Sequence, residues 1–166
     1  VTSLERARDL SNPPAVIASA AQGSTDDQQA MRSYYRDDIA RIPEMKLCAD
    51  QLWKNTGLGP ADIQVANIYD HFTPLFLPQL EEFGFCEKGE AKEFLRDGTI
   101  DMDGSLPTNT NGGQLGEAYI HGMNGIAEAV RQIRGTSVNQ VKNVENALVT
   151  AGTSVPTSAL ILSQDN

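Results

Sequence analysis

Apolar positions along the chain fall into a few well-separated patterns. Residues 13–23, "PPAVIASAAQG", form an apolar run closed by Gly23, which predicts a strand ending in a turn. The next stretch, "STDDQQAMRSYYRDD", is polar apart from the aromatic pair Tyr34 and Tyr35. From Met45 to Trp53 the apolar residues Met45, Cys48, Ala49, Leu52 and Trp53 recur at three and four, predicting a helix with one buried face that Gly57 stops. A Pro-Ala-Asp turn leads into Ile63 to Tyr69, a mostly apolar run expected of a strand covered on both faces. Helix is expected after Pro74, with Pro78 distorting its start, and again in the charged "KGEAKEFLRDG", ended by Gly98. Ser105 to Thr108 reads as a short strand leading into a glycine loop. Ile126, Ala129, Val130 and Ile133 then share one face of a helix, with Gly135 after its end. "NALVTAG" and "TSALILS", separated by "TSVP", read as adjacent strands. This order predicts an α/β fold, a layered sheet with helices, over a single domain of residues 1–166.

Composition narrows the class. With 40% apolar residues in 166 and no apolar run near the roughly 18 residues of a spanning helix, the chain reads as soluble and globular, without a membrane span. Its first residues carry Glu5, Arg6, Arg8 and Asp9, which no signal-peptide core would. There is no initiator Met, so the chain is expected to be either processed or a piece of something longer. A net charge of −9 disfavours nucleic acid, whose phosphates would meet like charge. Cys48 and Cys86, 38 positions apart without a secretion signal, read as two reduced thiols of a cytoplasmic protein.

Open α/β sheets bind ligands beyond the carboxyl ends of their strands, which directs attention to two loops. One carries Tyr69, Asp70 and His71 in "YDHF"; the other, "NTNGGQLGEAYIHGMNG", carries Asn111, Gly112, Gly113, Tyr119 and His121. Both histidines of the chain lie in these stretches, although each is equally compatible with a plain core or surface role. The Asn-Gly-Gly element is either a turn using positive φ or a place where substrate approaches backbone donors. Its glycine spacing gives neither a dinucleotide fingerprint nor a Walker loop. The His and Cys spacings suit no metal site, and no G-x-S-x-G elbow is present.

Taken in order, these segments resemble the C-terminal half of the thiolase superfamily, closest to its sterol-carrier and lipid-transfer-protein branch. The N-E-A-F or H-D-C-F motif of that superfamily aligns with Tyr69, Asp70, His71 and Phe72. Its N-x-x-G-G...G-H-P-x-G-x-x-G loop aligns with Asn109, Gly112 and Gly113, then Ala118, Tyr119 and Ile120 in place of G-H-P, then Gly122 and Gly125. The C-x-G cysteine falls at Gly152. Tyr119 and Gly152 therefore stand where a thiolase keeps its activating histidine and its proton-moving cysteine.

The resemblance implies a thiolase-like half, a mixed β-sheet covered by helices, whose N-terminal half lies outside this chain. A tyrosine in each motif looks like the thiolase-like aldolases of steroid side-chain degradation, lyases that cleave a β-hydroxyacyl-CoA by a retro-aldol step. That chemistry needs a base at the β-hydroxyl, an acid for the enolate carbon and donors for the thioester oxygen. Tyr119 is the expected base and Tyr69 the acid, a pair of roles that can be exchanged. Asp70, His71 and His121 would support them, and Asn111, Gly112 and Gly113 would bind substrate. Lowering a phenol from its usual pKa of about 10 to 7 asks for roughly 4 kcal/mol of phenolate stabilisation, for which the histidines are candidate donors. The resemblance also implies no cofactor beyond the CoA of the substrate, a homodimer, an OB-fold acyl-CoA-binding partner, a cytoplasmic location and an inactive isolated half. Two other readings are a non-catalytic lipid or acyl-CoA binding or structural subunit, and an acyltransferase using a cysteine of the missing half.

Overall fold

The computed structural model describes residues 1–26, 36–38, 40–152 and 157–165. The Tyr34 and Tyr35 pair and the whole "TSVP" connection lie outside the described residues. A short helix α1 (Leu4–Arg8) that the apolar pattern did not suggest opens the chain, capped by Ser3 and tied to the far terminus by an Arg8–Asp165 ion pair of 2.6 Å. Then follow β1 (Ala15–Gly23), α2 (Pro43–Thr56), β2 (Val65–Asn67), α3 (Phe76–Glu82), α4 (Ala91–Arg96), α5 (Gly113–Gly116), α6 (Met123–Arg134), β3 (Asn146–Ala151) and β4 (Thr157–Gln164).

The four strands form one mixed sheet in the order β1-β4-β3-β2, with β2 and β3 parallel and the other pairs antiparallel. Side chains alternate across it, so each strand feeds two cores. Ala66, Leu148, Ala159 and Ile161 face α2, where Met45, Cys48 and Leu52 are fully buried. Val65, Ala147, Val149 and Leu162 face α6 through Ala129 and Ile133. This double coverage is why β2, β3 and β4 read as near-continuous apolar runs. The predicted helices are found: α2 begins at Pro43 and ends on Gly57 at φ 72°, and α6 ends on Gly135 at φ 69°. Cys48 and Cys86 are free thiols, and burial pushes both up to about 11. Among the described residues no helix is long and apolar enough to cross a membrane.

Two strand expectations change. The run Ile63 to Tyr69 shrinks to the three residues of β2 because side chains take over the pairing at its end. The Ile68 amide donates to Asn109 Oδ1 (2.8 Å) and that of Tyr69 to Thr150 Oγ1 (2.9 Å). Ser105 to Thr108 contributes only a single parallel bridge, Thr108 to Ala66. Proline at 107 has no N–H to give, and the amides of Leu106 and Thr108 turn back to Thr99 and Ile100. Both changes place irregular, side-chain-held backbone beyond the carboxyl end of β2.

Candidate active site

Tyr69 stands just past β2 with both its backbone groups gripped. Its N–H donates to Thr150 Oγ1, its carbonyl accepts from Gln79 Nε2 (2.8 Å), and Thr150 Oγ1 donates to Gln79 Oε1 (2.6 Å). Gln79 is fully buried and also donates to the Leu75 carbonyl (2.7 Å), so one amide fixes the start of α3 against the strand ends. The Tyr69 ring lies over Gly122, where a β-carbon would sit 3.3 Å from Cε2. Replacing Gln79 by Leu strands the Thr150 hydroxyl and the Tyr69 carbonyl. Unfolding midpoints in urea are expected to report a loss of roughly 1–3 kcal/mol, the range for a buried group left unpaired.

Tyr119 reaches the same point from the loop between α5 and α6. Its hydroxyl oxygen is 2.9 Å from that of Tyr69, although the residues are fifty apart in sequence. Tyr69 is 7% exposed and Tyr119 48%, so one phenol is sunk in the fold and the other faces outward. Burial pushes the Tyr69 phenol well above its ordinary pKa, and its hydrogen bond with Tyr119 and the nearby charges of Tyr119 and Asp70 add to the rise. Tyr69 therefore keeps its proton through neutral pH.

The histidines contribute through their rings. His71 lies 4.6 Å from the Tyr69 ring and His121 4.9 Å from the Tyr119 ring, centroid to centroid. Burial lowers the His71 pKa, despite the Tyr69 backbone and Asp70, so the neutral imidazole is favoured. His121 sits at φ 52°, a left-handed turn that carries the chain from Tyr119 into α6.

Asp70 braces the glycine loop. Its Oδ1 accepts the Gln114 amide (2.6 Å) in the first turn of α5, and the Gly113 Cα packs so closely that a β-carbon there would meet Asp70 Oδ2 at 2.2 Å. Gly112 and Gly113 both have positive φ, 99° and 66°. Asn111 Oδ1 accepts the Gly113 amide (3.2 Å), and Asn111 Nδ2 donates to Glu117 (2.5 Å). The structure thus brings Tyr69, Asp70, His71, Tyr119 and His121 together, with Asn111, Gly112 and Gly113 as the adjoining wall.

Four further residues hold this arrangement; of these, only Asn109 was named in sequence, as the first position of the aligned glycine loop. Gln79 could have been noticed as an uncharged amide inside an apolar helix. Asn109 clamps both backbone groups of Ile68 (2.8 and 2.9 Å), while Gln114 and Asn124 link α5 to the start of α6 through a 2.5 Å bond. No sequence period marks the last two, because α5 is a single helical turn and Asn124 lies in the first turn of α6.

Residues 23–164 match the family model described as thiolase C-terminal domain-like. The chain belongs to that family. Within it, the chain is 66% identical over 165 residues to a steroid side-chain-cleaving aldolase of Thermomonospora curvata, covering 99% of this chain and 42% of that protein. It is 65% identical over 162 residues to the 17-hydroxy-3-oxo-4-pregnene-20-carboxyl-CoA lyase of Mycobacterium tuberculosis, covering 98% and 42%. The solved Ltp2-ChsH2(DUF35) aldolase superposes with a TM-score of 0.96 at 66% identity over 98% of this chain and 43% of that one. A monomeric SCP2-thiolase-like protein of Mycobacterium smegmatis, at 21% identity and a TM-score of 0.66 over 99% of this chain, shares the fold. This thiolase C-terminal-like chain spans less than half the length of the curated relatives it matches.

Proposed function

We propose that the whole protein is a retro-aldol carbon–carbon lyase that cleaves a steroid β-hydroxyacyl-CoA, with its acid and base both supplied by this half. The observation that carries the reading is the 2.9 Å contact between the Tyr69 and Tyr119 hydroxyls at the carboxyl end of the sheet. Two phenols sharing a hydrogen bond form a proton-passing unit without a cysteine. The reading is supported further by relatives at 65–66% identity that are named as an aldolase and a CoA lyase.

In this scheme Tyr119, the exposed partner, acts as the phenolate base and takes the proton of the substrate's β-hydroxyl. The Cα–Cβ bond then breaks, its electrons passing into the thioester enolate while the β-carbon leaves as a ketone. Tyr69 delivers its proton to the enolate carbon. Transfer from Tyr119 to Tyr69 along the shared bond restores the starting state, so one proton is taken, one given and none is consumed. Asp70, His71 and His121 hold the pair, and Asn111, Gly112 and Gly113 contact the acyl-CoA near its thioester. No metal or cofactor enters beyond the CoA of the substrate.

Because this chain covers 42% of its relatives, the reading includes an N-terminal half that completes the CoA grip. It also includes a homodimer, an OB-fold acyl-CoA-binding partner of the kind suggested by the ChsH2(DUF35) component of the solved aldolase, and a cytoplasmic location. The test mixes the whole protein and its partner with a 17-hydroxy steroid acyl-CoA and follows products by chromatography. Ketone and shortened acyl-CoA are expected in equal amounts, with none from residues 1–166 alone. Absence of cleavage by the whole assembly would remove the proposal.

A further inference from the structure

Five side-chain amides, Asn67, Asn109, Asn111, Gln114 and Asn124, surround the base of the tyrosine pair. Four of them have both polar atoms occupied: Asn109 by the Ile68 backbone, Asn111 by Gly113 and Glu117, Gln114 by Asn124 and the Gly122 amide, and Asn124 by Gln114 and the Gly113 carbonyl. Asn67, the last residue of β2, differs. It is 3% exposed, and among the described residues neither its Oδ1 nor its Nδ2 has a hydrogen-bond partner. An unpaired amide this deep is costly, and a fold that satisfies its four neighbours has not simply neglected such groups.

The space beside it suggests what completes it. Asn67 lines a small cavity with Tyr69, Gly113, Gly122, Gly125 and Thr150. About 10 Å³ of that cavity is open to the centre of a water molecule, a size that fits one water. The β-carbon of Asn67 packs toward Gly125 in the first turn of α6, 3.4 Å from where a side chain there would begin. Glycine at 125 therefore leaves room at the point where β2, the glycine loop and α6 converge.

We propose that Asn67 holds a single ordered water in this cavity, joining the end of β2 to the loops that carry the two tyrosines. The site is defined by Asn67 and the cavity alone, so its test is independent of the reaction. High-resolution crystallography of the whole protein should show a water about 3 Å from the Asn67 amide, and the same density should be missing in Asn67→Leu, which keeps the branched shape and removes both polar atoms. The sign of the stability change gives a second reading. Leucine cannot replace the water's bonds, so the melting temperature should fall by about 2–4 °C. A truly unpaired amide would instead be relieved by leucine, and the melting temperature would rise. A dry cavity in the wild type, an Asn67 amide bonded to a protein group, or that rise would each overturn the proposal. Should Asn67→Leu fail to fold, the wild-type density decides by itself.

Discussion

Tyr119→Phe in the whole protein is expected to lower kcat for acyl-CoA cleavage by about 10²–10⁴-fold, the range a positioned acid or base contributes, with substrate binding little changed. The substitution deletes one oxygen and keeps the ring that packs edge-on to His121 and obliquely to Tyr69. Tyr119 is half exposed, so little buried structure depends on its hydroxyl. What disappears is the 2.9 Å bond, and with it the oxygen proposed to receive the substrate's proton. Tyr69→Phe should produce a loss of the same order by removing the proton donor. The decisive measurement is the double variant. Groups that act as one unit are strongly non-additive, so the double variant should be no slower than the worse single one. Losses that multiplied would separate the phenols into independent roles. Near-wild-type turnover by Tyr119→Phe would end the paired-phenol mechanism. The pH profile adds a sign. Tyr69 is an acid whose pKa is raised, so its proton-donating form persists through neutral pH and is lost only above the ordinary phenol value of about 10. Any fall in kcat below that pH has to come from another group.

How far the sequence discloses this site depends on which interaction places each residue. The helix α2 was legible from its three-and-four apolar spacing, and the paired strands β3 and β4 because continuous apolar runs report two-sided burial, with Leu148 and Ile161 on one face and Val149 and Leu162 on the other. Tyr69 and Tyr119 were singled out as candidate chemistry in the two loops and through the thiolase resemblance. Their mutual contact was not, since it joins residues fifty apart through two loops whose geometry is held by side chains. The end of β2 shows the same limit. The apolar run extended the strand to Tyr69, but Asn109 and Thr150 supply side-chain partners where a neighbouring strand's backbone would otherwise pair. The Asn-Gly-Gly element left open a turn or a substrate approach, and Asp70 shows why the local requirement is strict. The carboxylate fills the space over Gly113 and caps the next amide itself.

That packing makes Gly113→Ala the most damaging single methyl group expected in the site. At φ 66° an L-residue pays roughly 1–2 kcal/mol of backbone strain. Its β-carbon would meet Asp70 Oδ2 at 2.2 Å and Cγ at 2.7 Å, well inside contact distance, so the carboxylate must leave. Leaving breaks the 2.6 Å bond from the Gln114 amide, a charge-assisted bond of the kind typically worth about 1.5–3 kcal/mol. Together these predict a loss of roughly 2.5–5 kcal/mol, read from urea unfolding of the whole protein. Asp70 follows Tyr69 directly and α5 leads into the Tyr119 loop, so turnover should fall as well. The two contributions separate in a double-mutant cycle with Asp70→Ala, which removes the obstructing carboxylate. In that background Gly113→Ala retains only the backbone strain and should cost about 1–2 kcal/mol. An equal cost with and without Asp70 would mean that the carboxylate does not dictate glycine at 113. The expected coupling would instead establish Asp70 as the brace that sets the loop below Tyr119.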